Sequence, residues 1–305
     1  MRVRPAQLGG AMTNPVVGFI GLGLMGTGFT RRLIATGHRV IGYDISPEKV
    51  DAAAAYGVEK AASPAELADA ADVVLACVTT TAAVAEVVEG PQGVLSASNL
   101  RGKVFVDHST TEIETTKRLA ALLAERAGMG MVDAPVSGGP GAAEAGTLAI
   151  MAGGTDEAIA SVAPLMGQLG TFTHMGGPGA GQATKLVNQT LVLTNYCVIA
   201  EALRLAETYG IDASKLPQAL GGGYAGSNLL PVMLERMIPR DWTPKGYARQ
   251  VLKDLEMVNE AARSRHLAMP MTSQALTLFR MLVAQGKSEI DGAAVLEVLP
   301  PGDKP

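Results

Sequence analysis

The chain has 305 residues, 48% of them hydrophobic and 18% charged, with a formal net charge of −4. That length admits two domains, and that composition is typical of a well-buried globular protein. There is no basic field to hold a nucleic acid, and aromatics at 4% offer no platform on which bases would stack.

Residues 1–14 carry two arginines but no apolar core, which argues against a secretory signal and predicts a disordered extension. An apolar run to Ile20 then enters the glycine cluster Gly21-Leu22-Gly23-Leu24-Met25-Gly26. A helical pattern follows on Leu24, Phe29, Leu33 and Ile34 and stops at Gly37. A second apolar run, Val40 to Tyr43, ends on Asp44. Strand, glycine turn, helix and strand in that order are the context that makes GxGxxG a dinucleotide fingerprint. Gly21 permits the tight turn, Gly23 lets the backbone approach a pyrophosphate, and Gly26 lets the helix pack closely on the strand. The amides of the helix start face the phosphates. Asp44 lies at the ~20-residue spacing of the ribose-binding acid. A carboxylate there repels a 2′-phosphate, and neither Ile45 nor Ser46 is an arginine, so NAD is expected and NADP less so.

Ser46-Pro47-Glu48 reads as a capped helix start running to about Tyr56, and Ser63-Pro64-Ala65-Glu66 as a capping box. Val73 to Val78 has strand length. A helix over 81–88 ends at Gly90-Pro91. Val104 to Val106 is a strand closing on Asp107, Glu112 to Arg126 is helical, and Met131-Val132 leads to Asp133. Alternation of this kind through about residue 175 predicts a parallel, doubly wound α/β sheet, a Rossmann domain over 15–177. Its ligands lie beyond the carboxyl ends of the strands, which nominates Gly21, Asp44, Val78-Thr79, Asp107–Ser109 and Asp133 as pocket wall.

After Gly176-Gly177-Pro178-Gly179 no strand is predicted. Ala180 to Tyr209 reads as one long apolar helix. Further helices fall over Ala213–Leu220, Asn228–Arg236, Lys245–Arg265, Met271–Gln285 and Gly292–Val298, so residues 178–305 form a smaller all-α domain. Its first helix is too apolar to stand in water and requires burial between subunits or under the other helices. Asn195, Glu201 and Arg204 interrupt its most apolar stretch, which argues against a membrane span. Cys77 and Cys197 sit in apolar surroundings without metal-ligand spacing. They are expected as free thiols of a reducing, cytoplasmic compartment.

Three stretches carry chemistry. Ser137-Gly138-Gly139, within Asp133–Gly141, presents a hydroxyl and consecutive backbone amides, a nest suited to a carboxylate unless turn geometry alone shapes it. Lys185, Asn188 and Gln189 share one helix face. Lys185 lies in the second helical turn among Leu186, Val187 and Leu191. Burial and the helix dipole there are expected to lower its pKa toward proton transfer, against the alternative of a lysine snorkelling to solvent. Lys253-Asp254 on a later helix reads as a solvated pair by itself.

Together these stretches resemble the β-hydroxyacid dehydrogenases, which include 3-hydroxyisobutyrate dehydrogenase and tartronate semialdehyde reductase. The resemblance runs in order through GFIGLGLMG, DHST at Asp107–Thr110, DAPVSGG at Asp133–Gly139, GAGQATKLVNQ at Gly179–Gln189 and KDL at Lys253–Leu255. It implies an NAD(P)-binding Rossmann domain whose cleft an all-α domain completes, in a homodimer or homotetramer. It implies hydride transfer on a small carboxylate substrate, with Lys185 as general acid and base. Asn188 would steady the reacting oxygen, Ser137, Gly138 and Gly139 would hold the carboxylate, and Thr110 and Lys253 would touch the cofactor. Val78-Thr79 stands where the family often has Leu-Pro, at one wall of the nicotinamide site. Gln189 stands where it has asparagine, in the substrate pocket, and Arg32 also replaces an asparagine. Imine reductases resemble this fold but generally replace the lysine, so Lys185 argues against that activity and against a non-catalytic NAD sensor.

Overall fold

The computed structural model describes residues 14–303. Contacts divide the chain into a unit ending at Gly179 and a unit beginning at Ala180. The predicted disordered extension lies outside the described residues except for Asn14, whose side-chain amide donates to the Thr36 carbonyl at 3.1 Å.

The first unit begins β1 (Val17–Ile20), α1 (Leu24–Ala35), β2 (Val40–Tyr43), α2 (Pro47–Ala54), β3 (Glu59–Lys60), α3 (Pro64–Ala70) and β4 (Val73–Ala76). It continues with α4 (Thr81–Glu89), β5 (Val104–Asp107), α5 (Ile113–Ala127), β6 (Gly130–Asp133) and β7 (Val136–Ser137). It ends with α6 (Gly139–Ala145), β8 (Leu148–Gly154), α7 (Asp156–Met166) and β9 (Gly170–Gly176). The sheet order is β3-β2-β1-β4-β5-β6-β8-β7, with β9 also paired to β8. β1 and β5 are buried at every residue, so β1 and Val104–Val106 of β5 read as runs without polar alternation, and β5 closes on the buried Asp107. Ser46, Ser63 and Thr80 cap α2, α3 and α4 by accepting from the amides of Lys49, Glu66 and Ala83.

The sheet is parallel from β3 to β6, as the alternating pattern predicts for a doubly wound domain, and then reverses at β8, which that pattern does not state. β8 runs antiparallel to both β6 and β7, with Val132 opposite Gly154 and Val136 opposite Ile150. A parallel return needs a crossover of a dozen or more residues. Between β6 and β8, Val136 and Ser137 are already paired to β8. The seven residues of α6 span only about 10 Å, so the chain comes back as a broad hairpin.

The second unit holds α8 (Ala180–Thr208), α9 (Leu216–Leu220), α10 (Leu229–Met237), α11 (Ala248–Ser264), α12 (Pro270–Ala284) and a 3-10 helix over Gly292–Val298. Leu193, Ala200 and Leu203 of α8 pack with Met233, Leu255, Phe279 and Val295 in its core. Asp291 stitches this unit. Its carboxylate accepts the amides of Lys245 (2.8 Å), Gly246 (3.0 Å) and Ala293 (2.9 Å), and lies 3.3 Å from Nε of the buried Arg236. By length and composition alone α8 is apolar enough to cross a membrane. One side of it is the core of the unit, while Val187, Leu191, Val198 and Leu205 are exposed.

Candidate active site

From β1 the chain winds to β2 and β3 on one side, and from β4 it winds the other way, so the carboxyl ends of β1 and β4 flank the topological switch point. The glycine cluster sits there. Gly21 has φ +97°, and a Cβ on it would lie 2.3 Å from the Cys77 carbonyl oxygen at the end of β4. A Cβ on Gly26 would lie 1.9 Å from the Gly21 oxygen. A Cβ on Gly23 would meet nothing among the described residues within 4 Å. The fold itself thus demands glycine at two positions, and the third opens onto free space at the start of α1. Gly23 offers α1 no side-chain cap, unlike the Ser46, Ser63 and Thr80 caps of α2, α3 and α4, and no acidic residue occupies its first turn. The amides at the head of α1 are therefore left for an anion. This cradle fits a dinucleotide pyrophosphate.

Asp44 ties the cradle to β2. Its nearly buried carboxylate accepts the Leu22 amide at 2.8 Å and the Ser46 amide at 2.9 Å, with Lys49 Nζ at 3.7 Å. Each oxygen keeps a further lone pair for a hydroxyl donor. Leu24 is exposed and Met25 half-buried beside it.

The next strand ends are tied to one another. The Val78 amide donates to Ser109 Oγ at 2.9 Å. Asp107 is fully buried and accepts the Ser109 amide at 2.8 Å and the Thr111 hydroxyl at 2.7 Å. Thr79 is exposed and Thr110 half-buried at this rim.

His108 falls within the Asp107–Ser109 stretch expected at the pocket wall, but nothing in the sequence assigns it a chemical role. It is buried, its ring stacks on Phe29 with centroids 4.7 Å apart, and Nδ1 lies 2.7 Å from the Ala134 carbonyl. A carbonyl only accepts, so Nδ1 carries the proton, and Nε2 is a buried acceptor with no partner among the described residues. Burial pushes its pKa down from 6.5 to about 4, because the charged ring would have no water. The folded protein therefore resists a proton that the unfolded chain takes up. The stability this neutral ring confers is complete above pH 6.5 and is lost as pH falls toward 4, by up to about 3 kcal/mol. His108→Asn keeps a donor near Ala134 without the titration. Urea unfolding midpoints between pH 7 and 4 are expected to fall less steeply for this variant than for wild type.

Ser137 is half-buried at the end of β7. Gly138, at φ +133°, leaves no room for a Cβ, which would sit 2.6 Å from that of Ala142, whereas Gly139 faces open space. Asp133 is buried and accepts the Gly179 amide at 2.8 Å, tying β6 to the last residue of the unit.

In the second unit Lys185 is only 7% exposed, so it does not snorkel to bulk water. Gln189 is equally buried and Asn188 half-buried one turn on. Asn188 Nδ2 donates to Gln189 Oε1 at 2.8 Å, and Gln189 Nε2 donates to Asp254 Oδ2 at 2.5 Å. Lys253 Nζ is 3.0 Å from Asp254 Oδ1. The Lys253-Asp254 pair is thus no solvated face; its acid ends a chain of amides that begins on α8. The dipeptide itself was visible in sequence, but a partner 65 residues away was not. A buried ammonium beside two oriented amides is equipped to exchange a proton with a bound oxygen. Among the described residues no group of three or more metal-ligating side chains comes together.

Comparison with known proteins agrees along the chain. Residues 16–177 match the family described as the NAD binding domain of 6-phosphogluconate dehydrogenase, and residues 179–299 that described as NAD-binding of NADP-dependent 3-hydroxyisobutyrate dehydrogenase. The 2-hydroxy-3-oxopropionate reductase of Escherichia coli (strain K12) is 37% identical, over 93% of this chain and 96% of its own. The mitochondrial 3-hydroxyisobutyrate dehydrogenase of Bos taurus is 32% identical, over 93% and 86%. The solved structure of Psf3 in complex with NADP+ and 2-OPP superposes with a TM-score of 0.87 at 29% identity, covering 93% of this chain and all of that one.

Proposed function

This chain belongs to the β-hydroxyacid dehydrogenase family, the NAD(P)-dependent oxidoreductases of 3-hydroxyisobutyrate dehydrogenase type, and on that premise we propose a three- or four-carbon hydroxy acid or its semialdehyde as its substrate. The observation that carries the reading is the buried ammonium of Lys185, set on one helix face with Asn188. Lys185 takes the hydroxyl proton in oxidation and returns it in reduction. Asn188 steadies the same oxygen. Ser137, Gly138 and Gly139 anchor the carboxylate, which supplies orientation. Gly21–Gly26, Asp44, Val78, Thr79, Thr110 and Lys253 hold the dinucleotide, whose nicotinamide supplies or accepts the hydride. The exposed stripe of α8 is proposed to be covered by a second copy of the chain.

Among the relatives NADP stands as well supported as NAD, so the preference for NAD rests on Asp44 and on Ile45 and Ser46 standing where an arginine would receive a 2′-phosphate. Its carboxylate is held by two backbone amides and has little freedom to turn away from a 2′-phosphate. Oxidation of 3-hydroxyisobutyrate and reduction of 2-hydroxy-3-oxopropionate, each followed at the nicotinamide absorbance with both dinucleotides, test the proposal. Turnover of at least one acid, with the higher kcat/KM on NAD, is expected. Turnover of neither acid would refute the substrate class, and preference for NADP would refute the role given to Asp44.

A further inference from the structure

We infer that Asp254 is a positioning residue: acting through Gln189, it dictates which atoms of the Asn188 carboxamide face the substrate. The inference rests on the reading above that Asn188 touches the substrate oxygen. A carboxylate only accepts hydrogen bonds, so Asp254 Oδ2 obliges Gln189 to turn its Nε2 toward it. Gln189 Oε1 then faces Asn188 and must be met by a donor, which is Asn188 Nδ2. The polarity of the second amide follows from the first, and the first from the charge. Asn188 is left with Oδ1 and one N–H to offer. Gln189 is buried, so solvent has little access to replace either bond if the relay turns over. The other Asp254 oxygen meets Lys253 Nζ, so one carboxylate orients both the amide relay and the lysine assigned to the dinucleotide.

Exchanging the polarity tests this. Asp254→Asn is nearly isosteric but can donate or accept, so it no longer dictates the relay. Gln189→Glu sets two carboxylates against each other. In the double variant the new amide at 254 donates to the new carboxylate at 189, whose other oxygen accepts from Asn188 Nδ2 as Gln189 did. Each single variant is expected to lower kcat for reduction of 2-hydroxy-3-oxopropionate by NADH about tenfold or more. The double variant is expected to return it to within about threefold of wild type, a non-additivity that lost packing does not produce. Independently of turnover, the Gln189 Nε2 proton resonance, carried downfield by the carboxylate, is expected to move upfield in Asp254→Asn. Wild-type kcat or an unmoved resonance in Asp254→Asn, or a double variant no faster than Gln189→Glu, would overturn the inference. Asn188→Ala separates it from its premise: a slow Asn188→Ala beside a normal Asp254→Asn sinks the relay alone, and a normal Asn188→Ala sinks both.

Discussion

Lys185→Ala is expected to lower kcat by about a hundredfold to ten-thousandfold, the range over which a positioned proton-transfer group acts, with dinucleotide affinity almost unchanged. The two effects separate because the residues involved lie on different parts of the chain. The cradle for the pyrophosphate is built from the β1–α1 turn and Asp44, all in the first unit. Lys185 belongs to α8, where alanine is a good helix former, so the helix persists. What is lost is a buried ammonium beside Asn188 and Gln189. Lys185→Arg refines the test. It keeps the charge on a group that does not deprotonate in proteins, so it stabilises an alkoxide without serving as a base. Turnover as low as in Lys185→Ala is expected if the proton itself passes through position 185. Steady-state rates give kcat, and quenching of intrinsic fluorescence by NADH gives the affinity. Near-normal turnover of Lys185→Ala would end the assignment.

The parts of this molecule that a linear reading reached are those whose cause is local. Glycine is demanded at 21 by a positive φ and by the approach of Cys77, and the three buried apolar residues Val104–Val106 announce a strand without a partner. Ser46 and Ser63 cap helices through bonds three residues long. What escaped depends on neighbours distant in sequence. The reversal at β8 follows from which strand Val136 pairs with, and nothing in the local pattern of Leu148–Gly154 states a direction. His108 looks like any polar residue in a loop until Phe29 and the Ala134 carbonyl close around it. Lys253-Asp254 looked solvated because its amide partner lies on another helix. The bond from the Gly179 amide to the Asp133 carboxylate spans 46 residues and leaves no mark in the local sequence.

The glycine cluster allows the sharpest separation of folding from binding. Gly26→Ala places a methyl where the Gly21 oxygen already stands, and Phe19 closes the third side at 3.2 Å. Neither backbone nor buried ring yields readily, so α1 must lift from β1. Overpacking of this kind costs about 1–3 kcal/mol or more, and it also displaces the amides that receive the pyrophosphate. Gly23→Ala differs in kind. Its methyl meets nothing among the described residues within 4 Å and its backbone is extended, so the free protein is expected to melt at the wild-type temperature. The methyl stands, however, in the space through which the pyrophosphate must approach. Gly26→Ala should therefore lose both thermal stability and NAD affinity, whereas Gly23→Ala should lose affinity alone. Calorimetric unfolding with and without NAD reads both quantities in one experiment. The cofactor raises the melting temperature only of a protein that binds it, by RT ln(1 + [L]/Kd) in free energy. If Gly23→Ala gains as much from NAD as wild type does, the open face of that glycine is not where the phosphates lie, and the cradle assignment falls even though the fold stands.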